Sequence, residues 1–313
     1  MPKSWGNGTR SKQLTLMANN YTNLVFEGGG VKGIAYAGAL QVLSDRNILP
    51  NITRAAGTSA GAITACLVCL GYSAAEIKTA VMAMDFTAFE DGWDPLRIPI
   101  EYGLYKGDKF LEWLQGMITA KGLDEDITFA ELRAKGFRDL YVYATNLNAY
   151  NVQQFSYADT PDAIVAEAVR ASMSIPFFFK AWKFSNGVPN NAVYVDGGVV
   201  LNYPLNVFDT NTQPDDPQTL GLYLYDYQNL KAPSSLGYGQ LVSYCKSLFE
   251  TLLQSQDIDF DVDPTMQKRT VRIDDFGILA TDFSITDAQK QELYTSGIKY
   301  TTAFLDQTRI ATS

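Results

Sequence analysis

The segment Ile52-Thr53-Arg54-Ala55-Ala56-Gly57-Thr58-Ser59-Ala60-Gly61-Ala62-Ile63-Thr64-Ala65-Cys66-Leu67-Val68-Cys69-Leu70 divides into three parts. Ile52 to Ala56 reads as a strand, Ala62 to Leu70 as a buried helix, and Gly57 to Gly61 as the turn joining them. A Gly-flanked serine between a strand and a helix is the pattern of a nucleophile elbow. The glycines suit a turn that needs unusual backbone angles, and they let neighbouring chain pass close to the serine. Ser59 then stands at a helix N-terminus, where unpaired N–H groups and the helix dipole favour developing negative charge. An ordinary turn capped by serine has the same G-x-S-x-G pattern. The rest of the chain has to discriminate between the two.

No histidine occurs in the 313 residues. Ser-His-Asp and Cys-His catalysis are therefore excluded within this chain, as are the usual His-bearing metal sites. If Ser59 is a nucleophile, its base is a carboxylate, a lysine or a group supplied in trans. Cys66 and Cys69 form a C-x-x-C, but inside the apolar helix. A redox pair wants an exposed helix N-terminus and a structural zinc site wants four ligands, so both read as buried core thiols. Neither a cofactor nor a metal is expected.

With 46% hydrophobic and 19% charged residues, the chain can bury a large core. A formal charge of −9, without any Lys/Arg run, argues against nucleic acid as a partner and against strong unassisted adsorption to anionic membranes. No segment reaches the ~18 apolar residues of a membrane span, and Met1 to Asn20 lacks the apolar core of a Sec signal peptide. The expected location is cytoplasmic, acting peripherally at membranes, with non-Sec export left open.

Upstream of the elbow, the strand Leu24-Val25-Phe26 runs into Glu27-Gly28-Gly29-Gly30-Val31-Lys32-Gly33 and then into a helix from Ile34 to Ser44. Gly28, Gly30 and Gly33 match a dinucleotide fingerprint in form, but no acidic residue lies about 20 positions on to meet a ribose. A phosphate-binding P-loop fails because Ile34 and Ala35 stand where Lys and Ser/Thr are required. The third use is an oxyanion hole, in which glycine amides at a helix N-terminus face a tetrahedral oxyanion and each contributes ~3 kcal/mol.

Downstream, Ser73-x-x-Glu76 opens a helix through Met84, and Phe86 to Gly107 reads as an irregular excursion over the site. Asp108 is expected to cap a helix to Thr119. Thr128-x-x-Glu131 opens another, and Leu140 to Ala144 is a core strand. Thr160-Pro161 starts a helix through Ala171. Val193 to Val195 is a short strand, Leu220 to Tyr225 and Thr270 to Ile273 are strands, Leu241 to Gln254 is a long helix, and Thr286-x-x-Gln289 opens a terminal one. This alternation predicts an α/β fold with a mostly parallel sheet covered on both faces. We expect a polar lead-in over 1–22 and one domain over 23–313. The strand at Val195 ends in Asp196-Gly197-Gly198. A carboxylate there can be held rigidly while its glycines leave room for a serine and a substrate, and an α/β sheet gathers such groups at strand ends.

Four motifs, Glu27-Gly-Gly-Gly-Val-Lys-Gly33, Gly57-Thr-Ser-Ala-Gly61, Ala171-Ser-Met-Ser-Ile-Pro176 and Asp196-Gly-Gly198, occur in the order seen in the patatin-like phospholipases. From Leu24 to Asn206 the chain resembles that family; residues 207–313 lie outside the recognisable motifs. The resemblance implies a three-layer α/β/α fold and a Ser-Asp dyad that hydrolyses acyl esters of lipids without histidine. It makes Ser59 the nucleophile, Asp196 the general base and Gly28, Gly29 and Gly30 the oxyanion loop. Gly33, Gly57, Gly61, Gly197 and Gly198 support these motifs. Lys32 stands where the family has Arg or Lys, and Glu27 where many members have Asp.

The expected substrate is a membrane phospholipid or another acyl-ester lipid. A carboxylate with an ordinary pKa is a poor base for a serine hydroxyl, so Asp196 should be partly desolvated. An acyl chain needs an apolar channel, for which 62–70 and 175–184 are the candidate walls. The run Ile175 to Phe184 reads either as an interfacial aromatic patch with Lys180 and Lys183 or as a buried strand, and Leu96 to Leu104 as a lid. An acyltransferase or general esterase using the same dyad, and a non-catalytic lipid-binding protein, are the alternatives. A lipase able to degrade its own membranes needs restraint, so we expect low basal activity relieved by a homo-oligomeric transition, a protein activator or a small ligand.

Overall fold

The computed structural model describes residues 20–227 and 240–311, without the side chains of 257–262 and 308–311. The lead-in expected over 1–22 thus lies, apart from 20–22, outside the described residues. In chain order the elements begin with β1 (Asn23–Phe26), α1 (Ile34–Asp45), β2 (Arg54–Thr58), α2 (Ala60–Cys69) and α3 (Ala74–Met82). Then come α4 (Ile98–Glu101), β3 (Gly103–Tyr105), α5 (Asp108–Thr119), α6 (Phe129–Ala134), β4 (Asp139–Asn146), β5 (Asn151–Phe155), α7 (Val165–Ser172) and β6 (Phe177–Phe179). The chain continues with β7 (Tyr194–Asp196), β8 (Thr219–Tyr225), α8 (Leu241–Val262), α9 (Pro264–Lys268), β9 (Thr270–Asp274) and α10 (Asp287–Ala311).

The main sheet has the order β5-β4-β2-β1-β8-β9 and is parallel from β4 to β9. Helices flank it, as the alternation of elements predicts. Successive side chains of a strand face opposite ways. Leu24 and Phe26 accordingly join the larger core with α1, α2 and α7, while Val25 joins Ala56, Tyr143, Leu205 and Phe208 on the other face. A short turn, Leu205–Phe208, and Met266 of α9 help to cover that second face.

Two antiparallel strands depart from the parallel pattern, and one of them builds the site. β5 pairs along one edge of β4, from Val142 to Asn146. On the opposite edge β2 pairs up to Thr58↔Tyr143, and β7 takes over at once with Ala144↔Asp196. β2 and β7 therefore approach each other end to end along the same edge. Their C-terminal residues meet where the parallel sheet opens.

The capping boxes form: Ser73 and Thr128 each exchange hydrogen bonds with the glutamate three residues on, and Thr286 does so with Gln289. Two expected helix starts are displaced. Residues 160–165 bond instead to the start of α6 and the residues leading into it, with Phe129 N donating to Ala163 O, Ala130 N to Pro161 O and Val165 N to Ile127 O. With those groups satisfied, α7 starts only at Val165. Asp108 does not cap α5; Gly107, at φ +65°, holds that position, and the Asp108 carboxylate accepts from Lys180. The segment 175–184 takes the buried option: Phe178, Phe179, Trp182 and Phe184 are inside and only Phe177 of these five rings is exposed, so the interfacial patch is not formed. In the 96–104 stretch, Leu96, Ile100 and Tyr102 are exposed. Cys66, Cys69 and Cys245 are free and buried. Among the described residues, no helix is long and apolar enough to cross a membrane.

Candidate active site

Ser59 sits between β2 and α2 with φ +53° and ψ −124°, a conformation that costs a non-glycine residue free energy. Close packing imposes it. A Cβ on Gly57 would lie 2.3 Å from the carbonyl of Gly61, and one on Gly61 would lie 2.4 Å from the Phe26 carbonyl oxygen. The elbow is thus pressed against itself and against β1. Ser59 N donates to Ser172 Oγ at 2.8 Å, and Ser172 Oγ donates to Tyr143 O at 2.6 Å, which ties the serine backbone to α7 and β4.

Ser59 Oγ donates to Asp196 Oδ2 at 2.7 Å. Both residues are nearly sealed, at 3% and 0% exposure. Asp196 Oδ1 accepts from Gly198 N at 2.8 Å, and Asp196 N donates to Ser174 O at 2.8 Å. Burial pushes the Asp196 carboxyl up to about 7, against the opposing hydrogen bonds from Ser59 and Gly198. At neutral pH a carboxylate in that state is a far better proton acceptor than one in water. Gly197 allows the approach, since a Cβ there would lie 2.4 Å from Tyr143 O.

The glycine loop lies beside the serine: a Cβ on Gly28 would be 3.2 Å from Ser59 Cβ. Its three amides are not equivalent. Gly28 N donates to Asn202 O at 3.0 Å, whereas those of Gly29 and Gly30 donate to no acceptor among the described residues. Gly30, at φ +54°, packs so closely on the Ala280 carbonyl that a side chain has no room. Gly33 precedes α1 and touches Ala60 of the elbow helix. Lys32 is buried and its Nζ bonds Asp275 Oδ2 at 2.7 Å. Burial lowers its pKa, but Asp275, Glu27 and Glu250 outweigh that and hold it above the usual lysine value. It anchors the loop and stays charged.

Several contributors carried no signal in sequence. Asn202 Nδ2 donates to Glu27 Oε1 at 2.9 Å and to Gly28 O at 3.1 Å, joining the Asp196 turn to the glycine loop. Ser172 and Met173 fall within a motif quoted for resemblance but assigned no role; Met173 Sδ lies 3.6 Å from Ser59 Oγ. A narrow apolar cavity of about 20 Å³ is lined by Gly30, Ile63, Met173, Ile175, Phe179 and Phe283 among others. That is about the room one water needs. Ile63, Ile175 and Phe179 come from the two walls expected from sequence; Phe283 comes from outside the motifs. Met84, Phe86 and Phe283 also line a second cavity of about 240 Å³, so they partition the two. Arg170 borders the narrow cavity, held by Gly107 O, Lys106 O and Ser174 Oγ, and burial lowers its pKa to about 10.

Such an arrangement, a strained serine bonded to a desolvated carboxylate beside two unengaged amides and an apolar cavity, can support acyl transfer. The profile described as Patatin-like phospholipase matches residues 24–209. Uncharacterized protein YqhO of Bacillus subtilis is 31% identical over 299 residues, spanning 92% of this chain and 99% of that protein. The "Probable lipid hydrolase 463L" of Invertebrate iridescent virus 6 is 29% identical over 195 residues, 62% of this chain and 65% of that protein. VipD from Legionella pneumophila shares the fold, with a TM-score of 0.65 at 16% identity over 92% of this chain and 67% of that one. On the extent of the profile match and of the YqhO alignment, this chain belongs to the patatin-like phospholipase family.

Proposed function

We propose that this protein is a serine-type lipid acyl hydrolase, of phospholipase A or lysophospholipase type, that cleaves acyl esters through Ser59 and Asp196. The single observation carrying the reading is the 2.7 Å hydrogen bond from Ser59 Oγ to Asp196 Oδ2 between two buried groups. Family membership supports lipid hydrolysis in general, and the relative named as a lipid hydrolase points the same way. We take residues 23–313 as one catalytic domain, a reading favoured by the pairing of β8 and β9 into the sheet that holds the elbow.

In the acylation step Ser59 gives its proton to Asp196 as Oγ bonds the ester carbonyl carbon. The carbonyl oxygen becomes an oxyanion and accepts from the Gly29 and Gly30 amides, assisted by the N-terminus of α2. Collapse of the tetrahedral intermediate breaks the bond to the leaving alcohol, which takes the proton from Asp196. Water then gives a proton to Asp196 and attacks the acyl-enzyme, and Ser59 recovers its proton as the fatty acid leaves. The narrow apolar cavity between α2, α7 and the 175–179 segment marks the start of the acyl path, which must widen to admit the chain.

Purified protein incubated with a fluorophosphonate probe is expected to be labelled at Ser59, and Ser59→Ala is expected to lose both labelling and release of fatty acid from phospholipid vesicles. Full hydrolysis by Ser59→Ala would sink the reading.

A further inference from the structure

Resting on that reading, we propose that α8 is a strut that sets the distance between the Asp196 turn and the glycine loop, with Gln256 as its positioning residue. The helix lies beyond the family-matched residues 24–209, yet it holds both halves of the site.

At one end, Gln256 binds the base turn through both its amide nitrogen and its amide oxygen. Nε2 donates to Gly198 O at 2.7 Å, and Oε1 accepts from Asn202 N at 2.7 Å. Gly198 is the residue whose N–H fixes Asp196 Oδ1. Its N–H faces the base and its carbonyl, one peptide unit on, faces α8, so movement of Gln256 reaches the N–H that orients the carboxylate through the Gly198 Cα. Leu253 packs where Gly198 has no side chain, 2.7 Å from the position a Cβ would take. Asn202, held by the same glutamine, receives Gly28 N and grips Glu27 and Gly28 O.

Two turns earlier α8 holds the other half. Glu250 Oε1 accepts from Thr281 N at 3.0 Å and from Thr281 Oγ1 at 3.2 Å, and Lys246 Nζ donates to Thr281 O at 3.1 Å. Thr281 follows Ala280, whose carbonyl accepts from Val31 N at 3.2 Å and presses on Gly30. Residues 246, 250, 253 and 256 recur at helical spacing and share one face. The rise of an α-helix fixes the axial distance from 250 to 256 at roughly 9 Å. A rigid rod of set length thus spans the oxyanion side and the base side, which need to be held to fractions of an ångström for acyl transfer.

The test uses the full-length protein. Gln256→Leu keeps the bulk and removes both hydrogen bonds, while Glu250→Leu releases the opposite end. Fluorophosphonate labelling rate, kcat and KM for p-nitrophenyl butyrate, and Tm are measured for each. Labelling rate and kcat are expected to fall about tenfold with KM changed by no more than about twofold, the signature of an interaction felt in the transition state. Glu250→Gln, which keeps an acceptor for Thr281, is expected to restore most of the rate lost in Glu250→Leu. If either folded leucine variant labels and turns over at the wild-type rate while its Tm falls, α8 is only packing and the proposal is overturned. Absence of labelling in the wild type overturns the hydrolase reading and this inference with it, a result distinct from a variant that matches an active wild type.

Discussion

Ser59, one residue beyond the end of β2, and Asp196, the last residue of β7, meet head-on along one edge of β4, and the serine hydroxyl donates to the carboxylate at 2.7 Å. An antiparallel strand laid against a parallel sheet is what makes this encounter possible. Two parallel neighbours would set both groups on strands side by side; here the strands point at each other, and Ser59 and Asp196 face across the short gap between their ends.

With Asp196 as the proposed base, its burial sets the expected pH dependence. Its pKa is pushed up to about 7 by desolvation, and the base must be ionised to accept the serine proton. kcat/KM is therefore expected to rise with pH through a single ionisation centred near 7 and to level off above it. A pH–rate profile checks this. A limb centred near the ordinary carboxylate value of about 3.9 would show that Asp196 is solvated in the working enzyme.

The same shift trades stability for reactivity. In the unfolded chain Asp196 ionises near about 3.9, so between there and 7 the folded state holds a proton that the unfolded state has lost. Its contribution to stability is full below the unfolded value and is lost as pH rises through the folded value. Asp196→Asn cannot ionise, and Asn can still accept from Gly198 N. We expect this variant to be inactive, to melt several degrees above wild type at pH 8, and to approach it only as pH falls towards about 4. Equal melting temperatures at pH 8 would contradict the assignment.

Gly61→Ala tests the elbow. Its Cβ would fall 2.4 Å from Phe26 O and 2.5 Å from Glu27 O, both backbone atoms of the central strand and the residue after it. The turn must shift, and displacement of a reacting atom by ~1 Å can cost about a hundredfold in rate. Overpacking of this kind costs about 1–3 kcal/mol in stability. Kinetics together with denaturant unfolding measure the two effects; wild-type kcat would mean that the turn has slack the geometry does not display.

Phe86 governs chain length in this picture, because with Met84 and Phe283 it separates the narrow cavity from the larger one. Phe86→Ala is expected to join them and to raise the ratio of kcat/KM for a long-chain over a short-chain ester by about tenfold, in line with 1–3 kcal/mol for modest changes in pocket fit. An unchanged ratio across a homologous series of p-nitrophenyl esters would place the acyl path elsewhere.

Much of the scaffold was legible because it obeys local rules. Capping boxes at Ser73, Thr128 and Thr286 mark helix starts by hydrogen bonds spanning three residues, and these form. The start expected at Thr160-Pro161 failed because a distant segment, 127–130, satisfies that backbone instead. Glycines at 57, 61 and 30 were visible as turn residues, but the atoms that exclude a side chain from each belong to Gly61, Phe26 and Ala280 respectively.

Sequence by itself determined that a serine stands in a strand–turn–helix pattern, that no imidazole of this chain can serve it, and that a glycine loop and an Asp-Gly-Gly turn each follow a strand. Residue type and local spacing suffice for such statements, since turns, caps and the strand–helix alternation are favoured by interactions within a few residues. Tertiary structure decided the direction of β7, the engagement of Gly28 N by Asn202 O, the burial that raises Asp196, and the hold of α8 on both turns. Each of these depends on groups far apart in the chain. Their free energy comes from desolvation and packing in the assembled core, and no local pattern of residues records it.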